Sequence, residues 1–105
     1  MLGFFNLKKM HQVYILHSQK LNRFYIGFTS NLEQRLVFHK NPENRKFTYN
    51  VSDWILFFTI DCNSKKHGLQ IEKHIKSMKS KVYIENLVKY PEMVEKLKNK
   101  FQSDC

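Results

Sequence analysis

Cysteine, acidic side chains and long apolar runs are all scarce in this sequence. Cys62 and Cys105 are the only cysteines in 105 residues, and their separation offers neither a zinc-ligand spacing nor a disulfide framework, which points to a reducing compartment. No stretch approaches the roughly 20 consecutive apolar residues that a membrane-spanning helix requires. The opening MLGFFNLKKMHQ puts its short apolar cluster ahead of Lys8 and Lys9, the reverse of a signal peptide, so a cytoplasmic location is expected and no membrane partner. Internal repeats and low-complexity segments are absent as well.

What is present is positive charge and aromatic surface. Eighteen Lys and Arg stand against nine Asp and Glu, a formal charge of +9, and a surplus of that size attracts a polyanion, first of all nucleic acid, through phosphate contacts and counterion release. An anionic membrane surface would respond to the same charge, and a merely soluble basic surface is the plainer reading. Apolar residues make up 42% and aromatics 14% of the chain, enough to exclude the disordered class and to build one compact core, so residues 1–105 are expected to form a single domain.

Hydrophobic patterning supplies the elements. QVYILH (12–17) and RFYIGF (23–28) read as two strands of a hairpin, with Tyr14 on one face and Val13 and Ile15 on the other. In the second strand Phe24, Ile26 and Phe28 share a face, and Tyr25 and Gly27 take the opposite one. A loop centred between Gln19 and Lys20 sets Tyr14 directly across from Tyr25. Ser30-Asn31-Leu32-Glu33 has the S-x-x-E spacing of a capping box and predicts a helix from Asn31 to Lys40, ended by Asn41-Pro42. A polar loop carrying Arg45 and Lys46 follows. WILFFTI (54–60) is a continuous apolar run and is expected to be a buried third strand. Gly68, Ile71, Ile75, Met78 and Val82 recur at helical spacing as a buried stripe, with Lys73, Lys76 and Lys79 outside it. A short helical stretch over 81–89 precedes a closing helix that starts at Pro91 and shows Met93, Val94, Leu97 and Phe101 on one face. The order predicts an α+β fold, a small, mostly antiparallel three-stranded sheet with helices around it.

One helix carries an oddity. Positions 32, 35, 36 and 39 fall on one face, so Arg35 and His39 share the sheet-facing stripe with Leu32 and Leu36, where a guanidinium costs desolvation unless an anion meets it. Glu72 sits likewise at the edge of the apolar stripe of the later helix. Hydrolysis of a phosphodiester needs a base for water, a cation for the charge developing on phosphate, and usually a carboxylate for a divalent metal. Tyr14, Tyr25, Arg35, His39 and Glu72 supply those types. Taken singly, each has a structural reading: a half-buried strand tyrosine, a surface arginine, a histidine at a helix C-terminus, a glutamate paired with Lys76. His11, His17, His67 and His74 are read as structural, and Trp54 as core. Phe47 and Tyr49, in the basic loop, are candidates for stacking on unpaired bases.

In combination these residues resemble the GIY-YIG endonucleases, a family that includes the nuclease module of the bacterial excision-repair enzyme and many small stand-alone bacterial proteins. The likeness runs through Val13-Tyr14-Ile15, Tyr25-Ile26-Gly27, Thr29, Asn31-Leu32, Arg35 and His39, and on to IEKHIKSMKSK with Glu72, covering about residues 11–88 and leaving 89–105 as a helical extension. It implies a three-stranded antiparallel sheet flanked by helices and cleavage of DNA with one Mg²⁺ or Mn²⁺. By the same resemblance Tyr14 is the general base or water-positioning phenol, and Tyr25 orients the water or the scissile phosphate. Arg35 binds and stabilises that phosphate, His39 assists proton transfer or orients Tyr14, and Glu72 holds the metal. Gly27 lets backbone approach the substrate. Gln12 replaces the first glycine of the family motif, and Asn86 is the candidate for an asparagine that some branches place near the site.

The leading expectation is therefore a metal-dependent endonuclease acting on DNA, with Arg45, Lys46, Lys73, Lys76 and Lys79 gripping the backbone and DNA repair among its roles. So small a domain has little surface for reading bases, which favours structure-selective action or a specificity-providing protein partner. A non-catalytic nucleic-acid-binding module on the same fold is the alternative. From a different class comes an adaptor whose closing helix, Met93 to Phe101, docks on a larger protein.

Overall fold

The computed structural model describes residues 10–41 and 53–102. The candidates Arg45, Lys46, Phe47 and Tyr49 lie outside the described residues. The elements run β1 (His11–Ser18), β2 (Arg23–Thr29), α1 (Leu32–Lys40), β3 (Trp54–Cys62), α2 (Lys65–Met78), α3 (Lys81–Lys89) and α4 (Pro91–Gln102). The sheet has the order β2-β1-β3, antiparallel throughout, so the architecture is the expected α+β arrangement with a C-terminal helix.

Strict alternation along β1 and β2 separates two apolar layers. Val13 and Ile15, with Phe24, Ile26 and Phe28, belong to the main core, closed by Ile71 and Ile75 of α2, Ile84 and Leu87 of α3 and Leu97 of α4. Tyr14 and Leu16 face the other way, forming with Trp54 a smaller cluster covered by Leu32 and Leu36 of α1 and flanked by Tyr25. The candidate catalytic tyrosines thus lie under α1, away from the main core.

Several local expectations need correcting. Tyr14 pairs with Gly27 and Tyr25 with Leu16, so the tyrosines are diagonal rather than opposite neighbours. The hairpin turn sits one residue later than predicted because tertiary contacts fix it. Asp53, preceding β3, accepts from the Ser18 hydroxyl at 2.7 Å and from the Lys20 amide at 2.9 Å, and Ser18 Oγ accepts from the Leu21 amide. Pairing shifted by two residues keeps side-chain parity, so both phenols stay on one face. The α1 cap is Asn31, whose side chain accepts from Gln34 N, not the Ser30–Glu33 box. Thr29 Oγ1 accepts the Asn31 amide instead, at 3.0 Å.

The third strand is an edge strand only partly buried, with Ile55 64% and Leu56 43% exposed. Its register with β1 shifts between Ile15 and Leu16, which face Phe58 and Leu56; Phe57 is the extra, bulged residue. The α2 stripe ends early too. Lys79 takes a left-handed conformation (φ 48°) as C-cap and Ser80 caps α3, and this turn leaves Met78 and Val82 exposed. Met93, Val94, Leu97 and Phe101 of α4 pack into the main core, so that helix's apolar face is occupied within the chain and does not serve as the adaptor surface. His67 is structural as expected: Nδ1 accepts the Asn63 amide and Nε2 bonds the Lys98 carbonyl, tying α2 to α4.

Candidate active site

The site is assembled on the smaller layer. Tyr14 is 1% exposed and its hydroxyl lies 2.7 Å from His39 Nε2. The Tyr25 ring meets the His39 ring edge-on at 4.8 Å between centroids and lies 6.3 Å from Tyr14. Trp54 closes on Tyr25 from the side at 6.2 Å. Strand patterning alone places that indole in the core and carries no signal for its contact with a site ring.

Gly27 explains how the phenol fits. A Cβ there would stand 2.5 Å from both Cζ and Oη of Tyr14, well inside van der Waals contact. As the direct cross-strand partner of Tyr14, it leaves a bare backbone over which the ring lies. The space that the missing side chain opens is therefore filled by Tyr14 itself. Gly68 plays the same part for α2, since a Cβ there would overlap the Phe28 ring. That close approach of α2 to β2 is set one helical turn before Glu72.

Electrostatics link Tyr14 and His39 to their charged and aromatic neighbours. Burial first, and then Tyr25 and Glu72, push the Tyr14 phenol well above the ordinary tyrosine range, with Arg35 pulling in the opposite direction. Burial, and then Arg35, hold His39 below its usual value. Near neutral pH the phenol is protonated and the imidazole uncharged, which excludes the reading of His39 as a helix-end cation. Its Nδ1 is buried with no hydrogen-bond partner among the described residues, beside a cavity of about 210 Å³ lined by Leu16, Leu36, Trp54 and Leu56. Arg35 is half-buried on the same α1 face, its guanidinium 5.2 Å from the Phe38 ring.

Glu72 is paired with Lys76 at 3.1 Å, with the glutamate side chain 16% and the lysine 54% exposed. The carboxylate is sheltered and its partner is exposed. Among the described residues no group of three or more His, Cys, Asp or Glu is arranged to hold a metal, so a protein-only cage is not the pattern. Lys73, Lys76 and Lys79 are exposed on α2 and its cap. Asn86 is half-buried on α3, a helix that packs on α4, and the described contacts do not join it to the phenol–imidazole pair. No helix among the described residues is long and apolar enough to cross a membrane.

A phenol in electrostatic contact with a guanidinium and a carboxylate and hydrogen-bonded to an imidazole brings together the groups that phosphodiester hydrolysis employs. The chain belongs to the GIY-YIG nuclease family: the family model described as the GIY-YIG catalytic domain matches residues 10–86. It is similar to a UPF0213 protein of Oceanobacillus iheyensis, 29% identical over 72 residues that cover 69% of this chain and 83% of the relative. No solved structure gives a significant match.

Proposed function

We propose that this chain is a divalent-metal-dependent endonuclease that hydrolyses DNA phosphodiester bonds in the cytoplasm, choosing its target by DNA structure or through a protein partner. The observation that carries the reading is the buried Tyr14–His39 hydrogen bond of 2.7 Å beside Arg35 and Glu72. A pure binding surface gains nothing from desolvating a phenol against a neutral imidazole, whereas proton transfer does.

A protonated phenol is a poor base, but it is a good relay. With the imidazole proton on Nδ1, Tyr14 donates its own hydrogen to His39 Nε2 as its oxygen takes one from the attacking water. The water oxygen bonds to phosphorus as the P–O ester bond breaks, and the departing oxygen takes a proton from solvent. Imidazolium then stands where neutral imidazole stood. Arg35 opposes early protonation of His39, keeping the acceptor empty before the reaction, and offers its guanidinium to the phosphate oxygens. Tyr25 orients the water or the scissile phosphate.

The donor set suits Mg²⁺ or Mn²⁺. A hard ion that retains several waters and takes substrate oxygens needs only one or two protein carboxylates, and Glu72 is a sheltered one whose present partner is an exposed lysine. Bound there, the ion would neutralise charge on the phosphate. Lys73, Lys76 and Lys79, with Arg45 and Lys46, are assigned to the DNA backbone. The test is cleavage of labelled duplex, single-stranded and branched DNA with Mg²⁺, Mn²⁺ or chelator. Metal-dependent cutting that favours one form supports the reading; equal cutting of every form refutes structure selection, and binding with no cutting under any metal leaves the binding module.

A further inference from the structure

Beyond the site, a groove of about 570 Å³ runs between the end of the β1–β2 hairpin and the α2–α3 turn, lined by Arg23, Phe24, Ile26, Lys79, Lys81 and Ile84 among others. No Asp or Glu is found among its described lining residues, and Arg23, Lys79 and Lys81 bring three cations to it. Arg23 relates the groove to the strand that carries Tyr25. β2 is the outer strand of the sheet, and alternation puts Arg23 on the pleat face of Tyr25, one repeat or about 7 Å along the strand. Phe24 and Ile26 point to the opposite side, into the main core layer. Arg23 therefore stands at the sheet edge between the face of Tyr25 and the groove, where Lys79 and Lys81 stand at the α2–α3 turn.

We infer that this groove is a second phosphate-backbone subsite, which holds the arm of a nucleic-acid substrate that continues past the scissile bond and around the β2 edge. The inference rests on the nuclease reading and extends it. Charge complementarity selects the occupant: a polyanionic strand meets three cations and no lining acid, over an apolar floor that a sugar–phosphate backbone tolerates. Arg23 and Lys81 become substrate-binding residues that the family motif does not touch, and Lys79 contacts DNA from the groove. Lys79 stands at a left-handed position (φ 48°) where helix C-caps favour glycine, so its side chain can be removed there without loss of fold.

The test is equilibrium binding of a long and a short duplex across a salt series, with single-turnover cleavage at saturating DNA. Each lost phosphate contact lowers the salt slope by about 0.9 for duplex DNA, so Lys79→Gln/Lys81→Gln should lower it by about 2 on the long duplex. On a short duplex that ends beside the scissile bond the slope should fall by less than on the long one. Lys96→Gln/Lys100→Gln, on α4 beside a different cavity, removes the same charge and should leave the slope intact. Lys79→Gly should unfold at a higher temperature than wild type yet bind the long duplex with a reduced slope. If both double variants lower the slope equally, or neither does, while wild type still binds and cuts, the groove is refuted and the nuclease reading survives. Wild type that neither binds nor cuts overturns both.

Discussion

Gly27→Ala is the substitution whose consequence follows most directly from the geometry. The new Cβ would be placed 2.5 Å from Tyr14 Cζ and Oη and 2.8 Å from Cε1, against a comfortable carbon–carbon separation of about 3.5–4.0 Å. Something has to move by about 1 Å. Neither partner is a flexible tip: the glycine is in the middle of β2 and paired to β1, and the phenol is buried and tied to His39. A shift of that size takes the 2.7 Å hydrogen bond beyond the usable range and leaves two buried polar groups without their partner. Overpacking costs about 1–3 kcal/mol and a broken buried hydrogen bond about 1–3, so with partial relaxation the variant should lose about 2–4 kcal/mol. For a domain of this size that corresponds to a fall in Tm of about 10–20 °C. Thermal unfolding followed by circular dichroism measures it, and a double-mutant cycle assigns it. In a Tyr14→Ala background the same Gly27→Ala change should cost less than about 1 kcal/mol, because the ring it collides with is gone and alanine suits a strand better than glycine. A Gly27→Ala protein with wild-type Tm and wild-type cleavage would show that Tyr14 is not packed over that backbone.

Other consequences are as specific. His39 and His74 are both held below the ordinary histidine value by burial, with Arg35 and Lys100 contributing respectively. The unfolded chain therefore binds more protons than the folded one below about pH 6.5, and stability should fall as pH drops through that value before levelling off below the folded values. His39→Gln should flatten part of that fall in Tm measured from pH 7.5 to 5.5, and an unchanged profile would mean that His39 titrates normally. The acid limb of cleavage should lie below the usual histidine range in wild type and move upward in Arg35→Gln; a limb that stays in place would exclude His39 as the proton acceptor. Lys76→Ala should cost only a few tenths of a kcal/mol of stability while lowering the Mg²⁺ concentration for half-maximal cutting, since it removes the cation competing for Glu72. A raised requirement would count against metal binding by Glu72. Gly68→Ala forces α2 off Phe28 and should destabilise the fold by about 1–3 kcal/mol in chemical denaturation, despite alanine's better helix propensity.

Side-chain parity is what makes the site legible in the sequence. Tyr14 and Tyr25 can be placed on one face, opposite Val13, Ile15, Phe24 and Ile26, because a strand's period of 2 survives an error of two residues in pairing. The spacing of Leu32, Arg35, Leu36 and His39 likewise survives the misread cap, since a helical face is insensitive to whether Ser30 or Asn31 begins it. Pairing itself is not readable, because Asp53, more than thirty residues downstream of the turn, decides where the hairpin closes. The third strand fails for another reason. WILFFTI has no alternation, so it carries no information about which side chains are covered, and the bulge at Phe57 arises only when β3 meets β1. The packing of Tyr14 over Gly27 is not readable in the sequence because the neighbour filling that space comes from a different strand.

Single-turnover cleavage of branched DNA with Mg²⁺, comparing wild type, Arg35→Ala and Glu72→Ala with each confirmed folded by its thermal transition, tests the central claim most directly. Wild type should cut, and both variants should lose the chemical step by two or more orders of magnitude while still binding the DNA. Variants that cut as fast as wild type would place the reaction somewhere other than beside the Tyr14–His39 pair.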